Sequence, residues 1–117
     1  MNPHAISVEK NPNRVKVIFN GKLIADTHKA LILREGKLPP VLYFPRQDVD
    51  MSQFHRTEHL THCPFKGEAA YYTIHANGKS TENAAWTYET PIQGVEDIKN
   101  HLAFYKEKMD RIEELVE

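Results

Sequence analysis

The sequence predicts a mainly β (α+β) fold of compact antiparallel sheets with a helical segment near the C-terminus. Two Asn-Gly pairs, at residues 20–21 and 77–78, each lie between runs rich in apolar residues. Asn-Gly readily adopts the positive φ angles of a two-residue hairpin turn, so each pair predicts a β-hairpin. Apolar residues near the C-terminus instead recur every three or four positions, which is typical of an amphipathic helix.

The first half of the chain predicts one hairpin and two further strands. Apolar residues alternate with other residues at Val15, Val17 and Phe19, just before the first Asn-Gly turn. A third apolar run at residues 30–33 continues the sheet. Two prolines then mark a break, and residues 41–44 form a short strand that a further proline ends.

Residues 46–67 are polar, rich in histidine and without periodicity. We interpret them as a long loop that holds at most one helical turn after Asp48. Loops set on a rigid sheet are a common location for binding and catalytic groups. This segment is therefore the first place to look for a functional site.

The second half repeats the β pattern before the predicted helix. Residues 68–75 lead into the second Asn-Gly turn, and the residues through Tyr88 pair back against them. A helix over about residues 95–114 then covers the sheet, because its apolar positions follow steps of three and four. These positions are Val95, Ile98, Leu102, Tyr105, Met109, Ile112 and Val116.

Chain length and charge limit the class of protein. The 117 residues match one domain of ordinary size, which can bury a core without disulfides or metal. We expect an N-terminal arm over residues 1–13 and a single β-rich domain over residues 14–117. The 15 basic and 16 acidic residues nearly cancel, which argues against nucleic acid or an anionic membrane as partner. The oligomeric state stays open.

The cysteine content and the N-terminal residues favour a reducing compartment. Cys63 is the only cysteine, so it cannot form an internal disulfide. The first residues lack the basic segment and apolar run of a secretory signal. Apolar runs are also far shorter than the roughly 20 residues that span a bilayer. We therefore expect a cytoplasmic protein without a membrane partner.

Four blocks of the sequence carry a resemblance to a known family. The blocks are Tyr43-Phe44-Pro45-Arg46-Gln47-Asp48-Val49, Thr61-His62-Cys63-Pro64-Phe65-Lys66-Gly67-Glu68-Ala69, Glu82-Asn83-Ala84-Ala85-Trp86-Thr87-Tyr88 and Ala103-Phe104-Tyr105. They resemble a small family described as domain of unknown function 427. The resemblance runs from about Arg14 to Asp110, and its central block is specific. It implies a compact, mostly β domain of the Mss4-like or β-tent type, with no settled activity.

The resemblance has two further implications. It places the Ala103-Phe104-Tyr105 stretch in a strand after a short helix, which leaves residues 102–106 open between helix and strand. Relatives of the fold often carry two Cys-x-x-Cys zinc knuckles, which a single cysteine cannot supply. We therefore expect neither a structural metal nor a cofactor.

One hypothesis for the central block is nucleophilic catalysis by Cys63 with His62, in a transferase or hydrolase. A nearby cation such as Lys66, or an imidazole acting as base, would make a thiolate available. Successive residues of an extended chain point opposite ways, so His59 or His55 is the alternative base. The ordinary alternative is that Cys63 is a small buried hydrophobe.

Metal binding is a weaker hypothesis for the same segment. Three imidazoles and a sulfur, from His55, His59, His62 and Cys63, are a possible ligand set for zinc or another divalent ion. Scattered, solvated histidines are the ordinary explanation for such a pattern.

Binding of a small anionic or polar ligand requires fewer precisely placed groups than catalysis or metal binding does. Arg46 offers a planar fork for a carboxylate or phosphate, and Lys66 adds a point charge. Gly67 lets the backbone approach a ligand closely. Asp48 either contacts the ligand or forms a structural ion pair with one of the two basic residues.

Asn83 and Trp86 complete the predicted pocket. The amide can orient a polar group and the indole can cover a planar face, although a tryptophan is as readily a core residue. We expect a pocket formed by the Arg46 corner, the residue 62–67 loop and residues 83–86. An interaction module without chemistry is the third hypothesis.

Overall fold

The computed structural model describes residues 5–116, which form ten β-strands and four short 3-10 turns. Within these residues no helix is long and apolar enough to cross a membrane. The turns are Arg46–Asp48, Met51–Gln53, Glu96–Ile98 and Lys106–Lys108. The strands are β1 (Ile6–Asn11), β2 (Arg14–Phe19), β3 (Lys22–Thr27), β4 (Ala30–Glu35), β5 (Val41–Tyr43), β6 (Phe54–Cys63), β7 (Gly67–Ala76), β8 (Lys79–Tyr88), β9 (Ala103–Phe104) and β10 (Arg111–Leu115).

The strands form three antiparallel sheets, which confirms the mainly β prediction. Their strand orders are β1-β4-β5, β10-β2-β3 and β6-β7-β8-β9. Both predicted hairpins are confirmed, as β2–β3 and β7–β8. Each turn has positive φ at both central residues, 49° and 78° at Asn20 and Gly21 and 51° and 82° at Asn77 and Gly78. This is the geometry that favours Asn-Gly in two-residue hairpins.

Two segments that show little periodicity in the sequence are outer strands. In the expected arm, residues 1–4 lie outside the described residues, whereas Ile6–Asn11 is β1 and pairs with β4. The interpretation of residues 46–67 as a loop is wrong, because Phe54–Cys63 is β6. The side chains of β6 are mostly exposed. An edge strand whose side chains are mostly exposed to solvent has no buried face, so it needs no alternation of apolar and polar residues. Its sequence therefore resembles that of a loop.

The predicted helix over residues 95–114 is also wrong. Most of its apolar residues are shielded as predicted, but Val116 is 84% exposed. The segment forms 3-10 turns and strands β9 and β10 instead of a helix, and Asn100 has a φ of 61°. Backbone bonds to distant strands replace helical ones, such as Leu102 N–H to the Phe44 carbonyl (2.8 Å) and Tyr105 N–H to the Ala84 carbonyl (3.0 Å). Tertiary pairing therefore overrides the local spacing.

The four-stranded sheet β6-β7-β8-β9 buries side chains on both faces. One face packs against β2 and β3 in the larger core cluster, which contains Val17, Ile24 and Tyr72. The other face packs against β4 and β5 in a second cluster, which contains Leu33 and Tyr71. Tyr71 and Tyr72 are adjacent in β7 and enter different clusters, because successive strand residues point to opposite faces.

The two Asn-Gly turns are joined to each other by their own side chains. The Asn20 amide donates to the carbonyls of Ala76 (2.9 Å) and Asn77 (3.2 Å), and the Asn77 amide donates to the Asn20 carbonyl (2.9 Å). The Asp110 carboxylate accepts from the N–H groups of Gly21 (2.8 Å) and Asn20 (3.0 Å), which lower its pKa. This turn junction ties two sheets and the C-terminal segment together.

We predict that Asn20→Gly lowers the free energy of unfolding by about 1 kcal/mol more than Asn100→Gly does, the typical worth of a lost hydrogen bond. Both residues have positive φ, so both variants keep the backbone conformation. Of the two, only Asn20 has side-chain hydrogen bonds among the described residues. Urea unfolding of the two variants measures the difference, and equal losses would mean that the turn junction adds no stability.

Candidate functional site

An aromatic cavity of about 450 Å³ lies where the second core cluster opens to the surface. Leu38, Pro39 and Pro40, from the loop after β4, form part of its wall. Two charged residues, Glu35 and Lys66, also line it. Its aromatic lining consists of Tyr43, Tyr71, Trp86, Tyr88 and Tyr105.

Strand register brings these rings to one face. Tyr71 pairs with Trp86 across β7 and β8, and Ala69 pairs with Tyr88 two residues along. Residues two apart share a face, so these side chains point the same way. On the other side of β8, Ala103 pairs with Trp86. The small side chains of Ala69 and Ala103 therefore lie beside the large rings of Tyr88 and Trp86 on this face.

Contacts among the rings hold the aromatic wall in place. The Trp86 indole N–H donates to the Tyr43 hydroxyl (3.3 Å), and its ring lies 4.6 Å from that of Tyr105. The hydroxyls of Tyr71 and Thr61 are 2.9 Å apart. Burial raises the pKa of both Tyr43 and Tyr105 to about 12, and a hydrogen bond with Tyr71 adds to the rise at Tyr105. These phenols therefore stay protonated at neutral pH.

A shielded ion pair forms the polar part of the cavity. The Lys66 Nζ lies 2.6 Å from the Glu35 Oε1, and the two side chains are only 13% and 11% exposed. Glu35 follows Leu33 by two residues in β4, so strand alternation turns it toward the buried face. Removing two charges from water costs several kcal/mol per ion before pairing offsets it.

Gly67 positions Lys66 rather than contacting the cavity. Its φ is +117°, and a Cβ at this position would lie 3.2 Å from the Thr90 carbonyl oxygen. The Ile92 N–H donates to the Lys66 carbonyl (3.0 Å), which fixes the chain beside the turn. A larger residue at Gly67 would meet both backbone strain and a clash.

His62 and Cys63 do not form a couple. They are successive residues of β6, paired with Glu68 and Gly67, and their side chains point to opposite faces. Cys63 is half-buried against the second core cluster, while His62 is exposed. Within residues 5–116 no hydrogen bond joins the Cys63 thiol to an imidazole.

The remaining histidines of β6 contact other rings. His55 lies 4.6 Å from His75, and His59 lies 4.5 Å from Tyr71, measured between ring centroids. In the part of the chain that the structure describes, no three His, Cys, Asp or Glu side chains are grouped closely enough to hold a metal ion.

Arg46 and Asp48 lie away from the aromatic cavity. The Arg46 guanidinium sits 5.7 Å from the Tyr72 ring and donates to its hydroxyl (3.2 Å). Tyr72 faces the opposite side of β7 from the cavity residue Tyr71. Asp48 accepts a hydrogen bond from the Thr27 hydroxyl (2.7 Å).

Asn83 lines an adjoining cavity of about 360 Å³, which shares Tyr71 and Tyr105 with the aromatic cavity. Its Oδ1 accepts from the Thr57 hydroxyl (2.6 Å), and its φ is 48°. Of the predicted binding residues, only Lys66 and Trp86 line the aromatic cavity itself.

The sequence interpretation missed Glu35, Tyr43 and Tyr105 as site residues. A signal existed for Glu35, since it follows Leu33 by two positions in an apolar run and must share its face. Tyr43 and Tyr105 lie in two of the blocks that carry the family resemblance, but no local pattern placed them in a site. Their place depends on which strands become neighbours.

The fold and cavity define a small, mainly β domain with an aromatic site. The chain matches the family model described as Domain of unknown function (DUF427) over residues 7–115, and it belongs to this family. No curated protein matches the chain.

We predict that Glu35→Leu lowers the free energy of unfolding by about 3 kcal/mol, because it leaves the Lys66 ammonium shielded and unpaired. The double variant Glu35→Leu/Lys66→Met removes both charges and should recover most of this loss. Urea unfolding of both variants and of Lys66→Met completes the double-mutant cycle. Additive losses would contradict a coupled pair.

We also predict that the free energy of unfolding of the wild-type protein falls at alkaline pH, and that it falls less in the variant Tyr43→Phe. In the unfolded chain the phenol ionises near the ordinary tyrosine pKa of 10.0, whereas burial raises the folded pKa to about 12. The contribution of Tyr43 to stability is thus fully present below pH 10 and is lost as pH rises to 12, about 3 kcal/mol in total. Urea unfolding at pH 8, 10 and 11 compares the pH slopes, and identical slopes would refute the assignment.

Proposed function

We propose that this protein binds a small planar molecule with a polar edge in the aromatic cavity. One observation carries the proposal: five aromatic side chains and a shielded Lys66–Glu35 ion pair line the same cavity. Aromatic walls favour a planar ring through offset or edge-to-face contacts. A few fixed polar groups then orient the ligand, as in most small-molecule sites.

The charges of the cavity favour a neutral polar ligand over a free anion. Glu35 lies 2.6 Å from Lys66 and neutralises its charge, and Arg46 lies on the other face of β7. A carboxylate or phosphate entering the cavity would have to compete with Glu35 for the ammonium. An amide or carbonyl group can instead accept from Lys66 while donors of the ligand reach Glu35.

The alternative activities have less support. A Cys63-dependent transferase or hydrolase needs a base, and the described residues bring no imidazole to the thiol by a hydrogen bond. An interaction module without chemistry would not require a shielded ion pair beside five aromatic rings, since such a pair costs desolvation energy.

We further propose a cytoplasmic location and a fold of the Mss4-like or β-tent type. The location is supported by the single cysteine, which is unpaired. The fold type is supported by the family resemblance and by three antiparallel sheets.

The expected ligand chemistry can be tested with three probes: benzamide, its saturated analogue cyclohexanecarboxamide, and benzoate. Trp86 is the only tryptophan of the chain, so its fluorescence reports on the cavity directly. We predict that benzamide shifts the Trp86 emission at millimolar concentration, the affinity expected of so small a ligand. Benzamide should bind better than either of the other two probes.

Two variants locate the binding site. Tyr105→Leu removes the ring that packs beside Trp86 and should weaken benzamide binding, whereas Arg46→Ala should leave it unchanged. Absence of any benzamide effect on emission and on thermal stability would refute the proposal. A stronger response to benzoate, abolished by Arg46→Ala, would favour the anion site expected from the sequence.

A further inference from the structure

We infer that Lys66 is a nucleophilic amine that forms an imine with the aldehyde or ketone group of a ligand in the aromatic cavity, with Glu35 moving the proton. This inference rests on the proposed function and names its ligand class, a planar carbonyl compound. It assigns a chemical role to the Lys66–Glu35 ion pair, which is not required for binding the aromatic ring of a ligand.

The first supporting observation is the environment of the lysine. The chain has ten lysines, and Lys66 is the one whose ammonium is paired with a carboxylate in the wall of the aromatic cavity. Its side chain is 13% exposed. Imine formation releases water and hydrolysis consumes it, so a cavity that restricts water favours the product.

The second observation is the position of a proton acceptor. An ammonium must lose a proton before its nitrogen can attack, and the Glu35 Oε1 is 2.6 Å from the Lys66 Nζ. This is within the distance at which a side chain acts as general base.

The third observation is a source of hydrogen bonds for the carbonyl oxygen. Tyr43 and Tyr88 line the cavity, and burial raises the pKa of both phenols, so they stay protonated. The Tyr43 hydroxyl accepts from the Trp86 indole, which leaves its own proton available to donate. A phenol that donates to the carbonyl oxygen stabilises the negative charge that develops there during attack.

The proposed step is balanced without any additional reactant. Glu35 takes one proton from the Lys66 ammonium, and the free amine attacks the carbonyl carbon to form a carbinolamine, whose oxygen is protonated by Glu35. Loss of that oxygen as water requires the second proton from nitrogen, again passed through Glu35. The products are a protonated imine and one water, so the positive charge stays at Lys66 and remains paired with Glu35.

Reductive trapping tests the inference on the full chain. Benzaldehyde, the aldehyde analogue of benzamide, is added with sodium cyanoborohydride at neutral pH, and peptide mapping locates benzylated lysines. We predict that Lys66 is labelled faster than each of the other nine lysines. Excess benzamide should suppress labelling at Lys66 and leave exposed lysines such as Lys10 unaffected.

Three variants separate chemistry from folding. Lys66→Arg keeps a cation beside Glu35 and should lose the adduct, since a guanidinium forms no imine under these conditions, with folding checked by circular dichroism. Glu35→Gln should slow labelling of Lys66 about 100-fold, the typical contribution of a general acid–base group, with folding checked by circular dichroism. Lys106→Arg, an exposed lysine in a neighbouring cavity, is the matched control and should change nothing.

The outcomes distinguish the two proposals. If benzamide binds but Lys66 is labelled no faster than exposed lysines, the imine inference is wrong and the binding proposal stands. If labelling of Lys66 is equally fast in folded Glu35→Gln, the proton-transfer role of Glu35 is wrong. If neither benzamide binding nor selective labelling occurs, both proposals fail.

Discussion

The alternation of side chains along β7 is the constraint on which most of this structure depends. This strand lies inside the sheet β6-β7-β8-β9, and both faces of that sheet are covered by other sheets. Tyr72 and Ile74 enter the larger core, whereas Ala69 and Tyr71 enter the second cluster. A shift of one residue in register would exchange the two sets, so the core and the aromatic cavity are specified together.

The turn junction and the shielded ion pair meet the same need in different ways. Strands from distant parts of the chain must be held in one arrangement. A small domain buries a smaller fraction of its surface on folding than a large one, so individual contacts between its sheets matter more. Asn20 and Asn77 achieve this with neutral hydrogen bonds at the surface. Lys66 and Glu35 join β4 to the turn before β7 with charges, at a desolvation cost that neutral contacts would avoid.

The candidate site was found in part from the sequence, and the partial success has a physical basis. The 61–69 block contains Lys66 and the 82–88 block contains Trp86, and both residues line the aromatic cavity. Arg46, from the 43–49 block, contacts Tyr72 on the opposite face. Blocks of sequence therefore identify segments that matter to the fold, but the face on which each side chain lies depends on its strand and register.

The sequence by itself determined both hairpins, because the positive φ angles of an Asn-Gly turn are a local property of those two residues. It also determined that most of the residues at steps of three and four near the C-terminus, from Val95 to Ile112, are buried or half-buried. Only the tertiary structure decided that this segment forms 3-10 turns and short strands rather than a helix, since backbone hydrogen bonds from Leu102 and Tyr105 to distant parts of the chain compete with helical hydrogen bonds. The tertiary structure also determined the cavity, because Glu35, Tyr43 and Lys66 become neighbours only when separate sheets pack together.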